Sequence, residues 1–277
     1  MTVLAMLAFA ANSLLNRAAL SGDAIGPSGF AFIRVASGAL VLLALLSLRE
    51  RSLPRPRAPR MPAVLGLAAY MLCFSFAYVS IDAGLGALVL FAGVQITMFT
   101  GALAEGENPP TRRWAGMALA LSGLAILSVP TAGVAVTPVA LFLMVCAAIG
   151  WGIYSLIGRK VTDPLEATAW NFLYCLPLVL LVQPLWPDTQ VMSLQGVFLA
   201  AVSGGVTSAL GYALWYAVLP ALGATRGALA QLSVPAIALA LGVLLLGESL
   251  TWPAVLAAGL IIGGIAVGLA PIGRTTG

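Results

Sequence analysis

Phe9-Ala-Ala-Asn12-Ser13-Leu-Leu-Asn16-Arg17, early in the chain, is answered half a chain later by Trp151-Gly-Ile-Tyr154-Ser155-Leu-Ile-Gly158-Arg159. Outward from these phrases the correspondence continues. Asp163-Pro164 echoes Gly26-Pro27, which sets Asn171 opposite Arg34, and Gly247-Glu248-Ser249-Leu250 echoes Gly106-Glu107-Asn108-Pro109. The offset drifts only between about 137 and 143 residues, and a repeat of this kind decides architecture before any other feature. The apolar sequence divides into ten membrane-length pieces, five per copy: 3–20, 27–48, 62–81, 84–103, 113–130, 138–157, 165–185, 194–219, 224–246 and 251–270. Five is odd, so the second copy must enter the membrane from the opposite side. Inverted repeats are characteristic of secondary transporters. The expected fold is all-α and membrane-embedded, with residues 1–135 and 136–277 as two inverted five-helix repeats forming one transport domain.

Composition leads to the same class independently. The chain is 61% hydrophobic and 8% charged, against roughly 25% charged in soluble domains. Spans are expected to be helices, because lipid offers backbone groups no partners, and the weak alternation of a membrane β-barrel is missing. Met1 to Ala11 is apolar but has no basic leader and runs into Asn12 and Arg17, so it reads as a retained first helix. Cys73, Cys146 and Cys175 fall inside spans at no metal or redox spacing and read as packing residues.

Eleven of the thirteen basic residues belong to loops of one side: Arg49, Arg51, Arg55, Arg57, Arg60, Arg112, Arg113, Arg159, Lys160, Arg226 and Arg274. The opposite loops hold Asp23, Asp82, Asp188 and Glu248 and no basic residue. The basic side is expected to be cytoplasmic, with both termini inside. The Arg/Pro-rich 49–60 segment then sets topology, and no nucleic-acid partner is expected. The two remaining arginines are Arg17, near an outer helix end, and Arg34, about seven residues inside the second span. An ionisable group at that depth marks a functional site, or else a snorkelling or helix-pinning side chain.

Much catalytic chemistry is missing. There is no histidine, no acidic residue in the middle of a span, no set of metal ligands and no Walker-type phosphate loop. Most enzyme classes and ATP-driven transport are disfavoured, no cofactor is expected, and obligatory proton coupling through a mid-membrane group is not expected either. Glu107 and Glu248, which open the last helix of each copy, read as caps of those helices. The spans offer amides, hydroxyls and aromatic rings instead. Amides do not belong against lipid. They serve either as interhelical packing contacts or as the wall of an aqueous cavity, and as a set they favour the cavity. The candidate substrate contacts are Asn12, Asn16, Arg34, Tyr78, Gln95, Trp151, Tyr154, Trp170, Asn171, Tyr212 and Gln231. One continuous cavity near the midplane is expected to be touched by at least three of Asn12, Gln95, Tyr154, Asn171 and Gln231. Gly259-x-x-x-Gly263 and Gly84/Gly86 suit close helix contacts, and Pro177 and Pro235 permit bending.

Several phrases in this order resemble the ten-helix drug/metabolite transporters, specifically the EamA-like family of bacterial inner-membrane permeases. They are Phe9-Ala-Ala-Asn12 with Arg17, Phe32-Ile-Arg34-Val-Ala-Ser-Gly-Ala-Leu40, and Gly106-Glu107 followed by Gly116 and Gly123. In the second copy they are Trp151-Gly-Ile-Tyr154, Leu222-Gly-Ala-Thr-Arg-Gly-Ala-Leu229 with Pro235, and Leu246-Gly-Glu248. The fourth span departs from the pattern: near Gln95 and Ile96 it lacks the family's proline. The resemblance implies two inverted five-helix repeats in the inner membrane and export or exchange of small metabolites, often amino acids. The expected function is alternating-access transport of a small polar metabolite, with amino acids or related zwitterions favoured. A multidrug exporter of lipophilic cations is the alternative, disfavoured because the first span carries no carboxylate. An integral membrane enzyme ranks lower still.

Overall fold

The structure, a computed structural model, describes residues 1–20, 24–80, 83–127, 137–188, 191–246 and 251–270. Among them there is no strand, and each expected span has its helix. These are α1 (Thr2–Leu20), α2 (Pro27–Glu50), α3 (Met61–Ala77), α4 (Ala83–Ala104), α5 (Thr111–Leu127), α6 (Pro138–Gly158), α7 (Pro164–Val182), α8 (Leu194–Leu222), α9 (224–246) and α10 (Trp252–Leu269). Among the described residues seven helices are long and apolar enough to cross a membrane; Met61–Ala77 and Val89–Ala104 are shorter apolar helices. The outer surface is itself apolar: Leu40, Leu65, Ile96, Phe142, Leu181, Phe198 and Ile262 all stand exposed. Soluble proteins rarely tolerate such surface, whereas lipid requires it. The chain is a multi-pass membrane protein.

Local sequence explains where helices begin. Proline occupies the first turn of α2, α3, α6, α7 and α10, where its missing N–H has no helical acceptor to lose. Thr137, Asp163 and Ser193 cap α6, α7 and α8 through side-chain oxygens. α2 has no such residue of its own. Its Ser28 and Gly29 amides donate instead to Asp188, in the α7–α8 connection, at 3.0 and 2.7 Å.

Two helices depart from plain α geometry. α8 contains a π-helical turn, Ser203–Ser208. α9 breaks at Leu232 into Ala224–Gln231 and Ser233–Leu246, with Pro235 in the first turn of the second segment, where its missing N–H costs little. α4, which lacks a proline, runs unbroken.

Ion pairs gather helix ends at one end of the bundle. Arg49, at the end of α2, grips Asp163, at the start of α7, through two bonds of 3.0 and 2.6 Å. Arg57 pairs with Glu166 at 2.9 Å. Arg159, at the end of α6, meets Glu105 and Glu107 after α4, and Lys160 meets Glu105 at 3.0 Å. The helices therefore alternate in direction, and α2 and α7 pack with opposite polarity. α5 and α10 do the same: a Cβ on Gly116 would lie 2.5 Å from the Gly264 carbonyl, and one on Gly264 would lie 2.5 Å from the Gly116 carbonyl. Gly66 of α3 and Gly150 of α6 form a second reciprocal pair, at 2.8 and 2.6 Å. Only glycine permits either approach. The Gly259/Gly263 expectation is corrected here. A Cβ on Gly259 would meet nothing within 4 Å, because the contact face of α10 runs through Gly264 and Gly268 one position on.

Candidate substrate cavity

A cavity of about 30 Å³ lies between the two halves of the chain. Phe9, Asn12 and Ser13 of α1, Tyr70 and Phe74 of α3, and Leu90 and Phe91 of α4 line it from the first half. Trp151 of α6, Tyr212 of α8, and Gln231 and Val234 at the break in α9 line it from the second. A single water needs roughly 10–15 Å³ of such space, so this conformation admits a water or two and no metabolite.

The polar wall is organised by two amides. Asn12 Oδ1 faces three hydroxyls of the α8 π-turn, Ser203 at 2.7 Å, Thr207 at 3.1 Å and Ser208 at 3.4 Å, the single Thr207 proton being shared with the Ser203 carbonyl at 2.9 Å. The extra residue of a π-turn widens the helix locally, a distortion common at functional sites. Gln231 accepts from Trp151 Nε1 and donates to Met98 Sδ at 3.2 Å, so it joins α6, α9 and α4. Around them the aromatics pack edge to face, with Phe9 against Trp151, Tyr212 and Trp215 at 5.3–5.8 Å and Trp151 against Tyr212 at 4.7 Å.

Arg34 stands directly behind this wall and is 0% exposed. Its Nε donates to Ser208 Oγ at 2.8 Å and its Nη2 to Tyr212 Oη at 2.7 Å, while its guanidinium carbon sits 5.6 Å from the Tyr70 ring and 6.0 Å from the Phe74 ring. Its Nη1 is buried without a hydrogen-bond partner, and no described carboxylate pairs with it. A buried cation normally has a counter-ion, because desolvating an unpaired charge costs several kcal/mol. Tyr70, Phe74 and Tyr212 each touch both Arg34 and the cavity, so one layer of side chains separates the charge from the space.

Of the eleven candidate contacts, the structure brings Asn12, Trp151, Tyr212 and Gln231 to the cavity. Only two of the five residues expected to share it do so. Gln95 donates instead to the Ala228 carbonyl at 2.6 Å, joining α4 to α9. Asn16 donates to the Asn12 carbonyl one turn back. Tyr154 stacks on Tyr216, one turn below the cavity toward the basic end, and Asn171 is buried beside that pair. Tyr78 lies past the end of α3 against Phe74, and Trp170 stacks on Tyr174. The convergence of Ser203, Thr207 and Ser208 on Asn12 is not among the sequence expectations. Their signal is the spacing of one polar helix face. Tyr70 and Phe74, which face both the cavity and Arg34, are not among the eleven candidate contacts. The Arg17 side chain lies outside the described residues.

Two layers of contacts lie between the cavity and the basic end. The Tyr154–Tyr216 stack has ring centroids 4.5 Å apart, and Tyr216 Oη donates to the Tyr154 carbonyl at 3.0 Å. Beyond it lies the Glu107 network. Glu107 caps α9 and not α5 as expected: it accepts from the Ala224 amide at 3.1 Å, the Thr225 hydroxyl at 3.0 Å and Arg159 at 3.0 Å. The tertiary fold, invisible in sequence, presents it with a better-placed set of free amides. Its counterpart Glu248 lies outside the described residues. Burial by itself would push the Glu107 carboxyl up, but these donors and Arg159 outweigh it and hold it below its ordinary 4.5. A depressed carboxylate stabilises the fold fully above its unfolded value and loses that contribution as pH falls through the lower folded value. Glu107→Gln is therefore expected to lower stability by roughly 1–2 kcal/mol at neutral pH. Thermal unfolding of the purified protein should show this gap closing well below pH 4.5, where the wild-type carboxyl is itself protonated.

Comparison with known proteins adds an independent line. A model of the EamA-like transporter family matches residues 1–129 and again 138–269. An uncharacterized protein of Pseudomonas aeruginosa is 45% identical over 99% of this chain and 95% of its own length. Proteins of Salmonella typhimurium and Escherichia coli, each named a probable amino-acid metabolite efflux pump, are 29% identical over 75% and 76% of this chain and 77% of their own. A solved crystal structure superimposes with a TM-score of 0.77 at 21% identity, covering 95% of this chain and 97% of that one.

Proposed function

Because the chain belongs to the EamA-like transporter family, we propose that it is a bacterial inner-membrane carrier exporting or exchanging small carboxylate-bearing metabolites, amino acids or related compounds, by alternating access. Residues 1–135 and 136–277 act as two inverted repeats. Three features support this reading. The family model matches once in each half. Counterpart helices α2 and α7, α4 and α9, and α5 and α10 pack against one another. Other contacts come in exchanged pairs, among them α3 on α6 and α8 on α1, and α4 on α6 and α9 on α1.

The observation that carries the function is the cavity between the halves, with an unpaired buried guanidinium behind it. Its small volume marks a closed state in which the halves must part before a ligand enters. A substrate carboxylate would supply the counter-ion that Arg34 lacks, while Asn12, Gln231 and the aromatic ring edges would hold the rest. The same cation repels lipophilic cations, which disfavours the multidrug reading. With no acidic residue in mid-span, exchange or uniport is favoured over proton antiport. Counterflow in proteoliposomes tests this: labelled amino acids and related carboxylates should accumulate against an excess of the same unlabelled compound. Absence of counterflow across a broad panel of such compounds would contradict it.

The basic end is cytoplasmic in this proposal, by the excess of arginine in its loops. A cysteine replacing Pro56 should label only after the cells are opened, and one replacing Asp188 should label in intact cells. External labelling at position 56 would reverse the orientation.

A further inference from the structure

We infer that the cavity prefers ligands of net charge −1, a carboxylate whose amino group is absent or acylated, over the corresponding zwitterionic amino acid. This rests on the reading of Arg34 as the carboxylate anchor. It adds the question of what would receive an ammonium group, and the described side chains that line the cavity include no anion. The six described acidic residues, Glu50, Glu105, Glu107, Asp163, Glu166 and Asp188, all lie in loops or at helix ends. Asn12 Oδ1 already accepts from the Ser203 and Ser208 hydroxyls, and Gln231 Oε1 accepts from Trp151. The Ser13 hydroxyl donates to the Phe9 carbonyl at 3.2 Å and offers an ammonium group only a neutral oxygen. The ring faces of Tyr70 and Phe74, natural seats for a cation, lie under the Arg34 guanidinium. One cation with no described anion therefore lies a single side-chain layer from the space. A single carboxylate neutralises it, whereas a zwitterion returns a positive charge to a water-poor site where like charges repel strongly.

The test uses the purified full-length protein in nanodiscs and matched compounds for each of the common amino-acid side chains: the amino acid, its des-amino carboxylate, its N-acetyl derivative and its amide. The des-amino compound is smaller than the amino acid, so size cannot exclude it. For side chains that bind, the des-amino and N-acetyl carboxylates are expected to bind about tenfold more tightly than the zwitterion, the amide more weakly still, and Arg34→Gln should remove this order. Ser208→Asp, which places a carboxylate beside Arg34 Nε, should reverse the preference toward the zwitterion and the amide; both variants are first checked for monodisperse folding. A zwitterion that binds as tightly as its des-amino analogue, while the amide fails and Arg34→Gln abolishes binding, would overturn the net-charge inference and leave the anchor standing. Amides that bind as well as acids, together with an Arg34→Gln variant of unchanged affinity, would overturn the anchor itself.

Discussion

Replacing Arg34 with methionine is expected to cut transport at least about tenfold while leaving the protein as stable as before, or more stable by up to about 2 kcal/mol. The two halves of this result belong together. Arg34 is wholly buried, lacks a carboxylate partner among the described residues, and leaves Nη1 unbonded. Its desolvation is offset by neutral hydroxyls and two ring faces, with no described carboxylate. An apolar side chain of similar length removes that cost and still fills the space between α2 and α8. If Arg34 is instead a structural pin, the substitution should lower the melting temperature sharply and spare the transport rate of whatever protein remains folded. Thermal unfolding and proteoliposome uptake on the same preparation separate the two roles.

Replacing Gly150 with leucine is expected to cost more than about 3 kcal/mol and to prevent recovery of folded protein. Even the first added carbon would lie 2.6 Å from the Gly66 carbonyl and 3.0 Å from the Tyr70 amide. α3 must then retreat, and it carries Tyr70 and Phe74 in the cavity wall. Gly259→Leu is the control, since nothing lies within 4 Å of its added carbon. That variant should stay within about 0.5 kcal/mol of the parent, as surface substitutions generally do. Equal destabilisation at both sites, read from size-exclusion profiles after heating, would show that the α3–α6 approach is looser than described.

The ten helices were legible because hydropathy and proline-marked helix starts are local properties of sequence. The break in α9 was foreshadowed by Pro235, and the unbroken α4 by its missing proline. What stayed hidden depends on neighbours. The π-turn at Ser203–Ser208 changes no composition, so nothing announced that three hydroxyls would converge on Asn12. Glu107 reads as a cap from its position before α5, yet the amides it serves are those of α9, more than a hundred residues away. Tyr154 and Asn171 have the polarity expected of cavity residues, but helix rotation and depth place them one layer below, in the aromatic plug. The wrong glycine face of α10 was chosen for a related reason. A small-x-x-x-small spacing fits both Gly259/Gly263 and Gly264/Gly268, and only packing against α5 distinguishes them.

The central claim is that one cavity between the halves opens to each side of the membrane in turn. Val234 lines that cavity at the break in α9 and is fully enclosed here. A single cysteine at this position, in a chain whose Cys73, Cys146 and Cys175 are replaced by alanine, can be probed in oriented vesicles with a membrane-impermeant maleimide applied to either face. Alternating access predicts labelling from both faces, slowed from both when a transported compound is bound. Labelling confined to one face under all conditions, or absent from both, would contradict it.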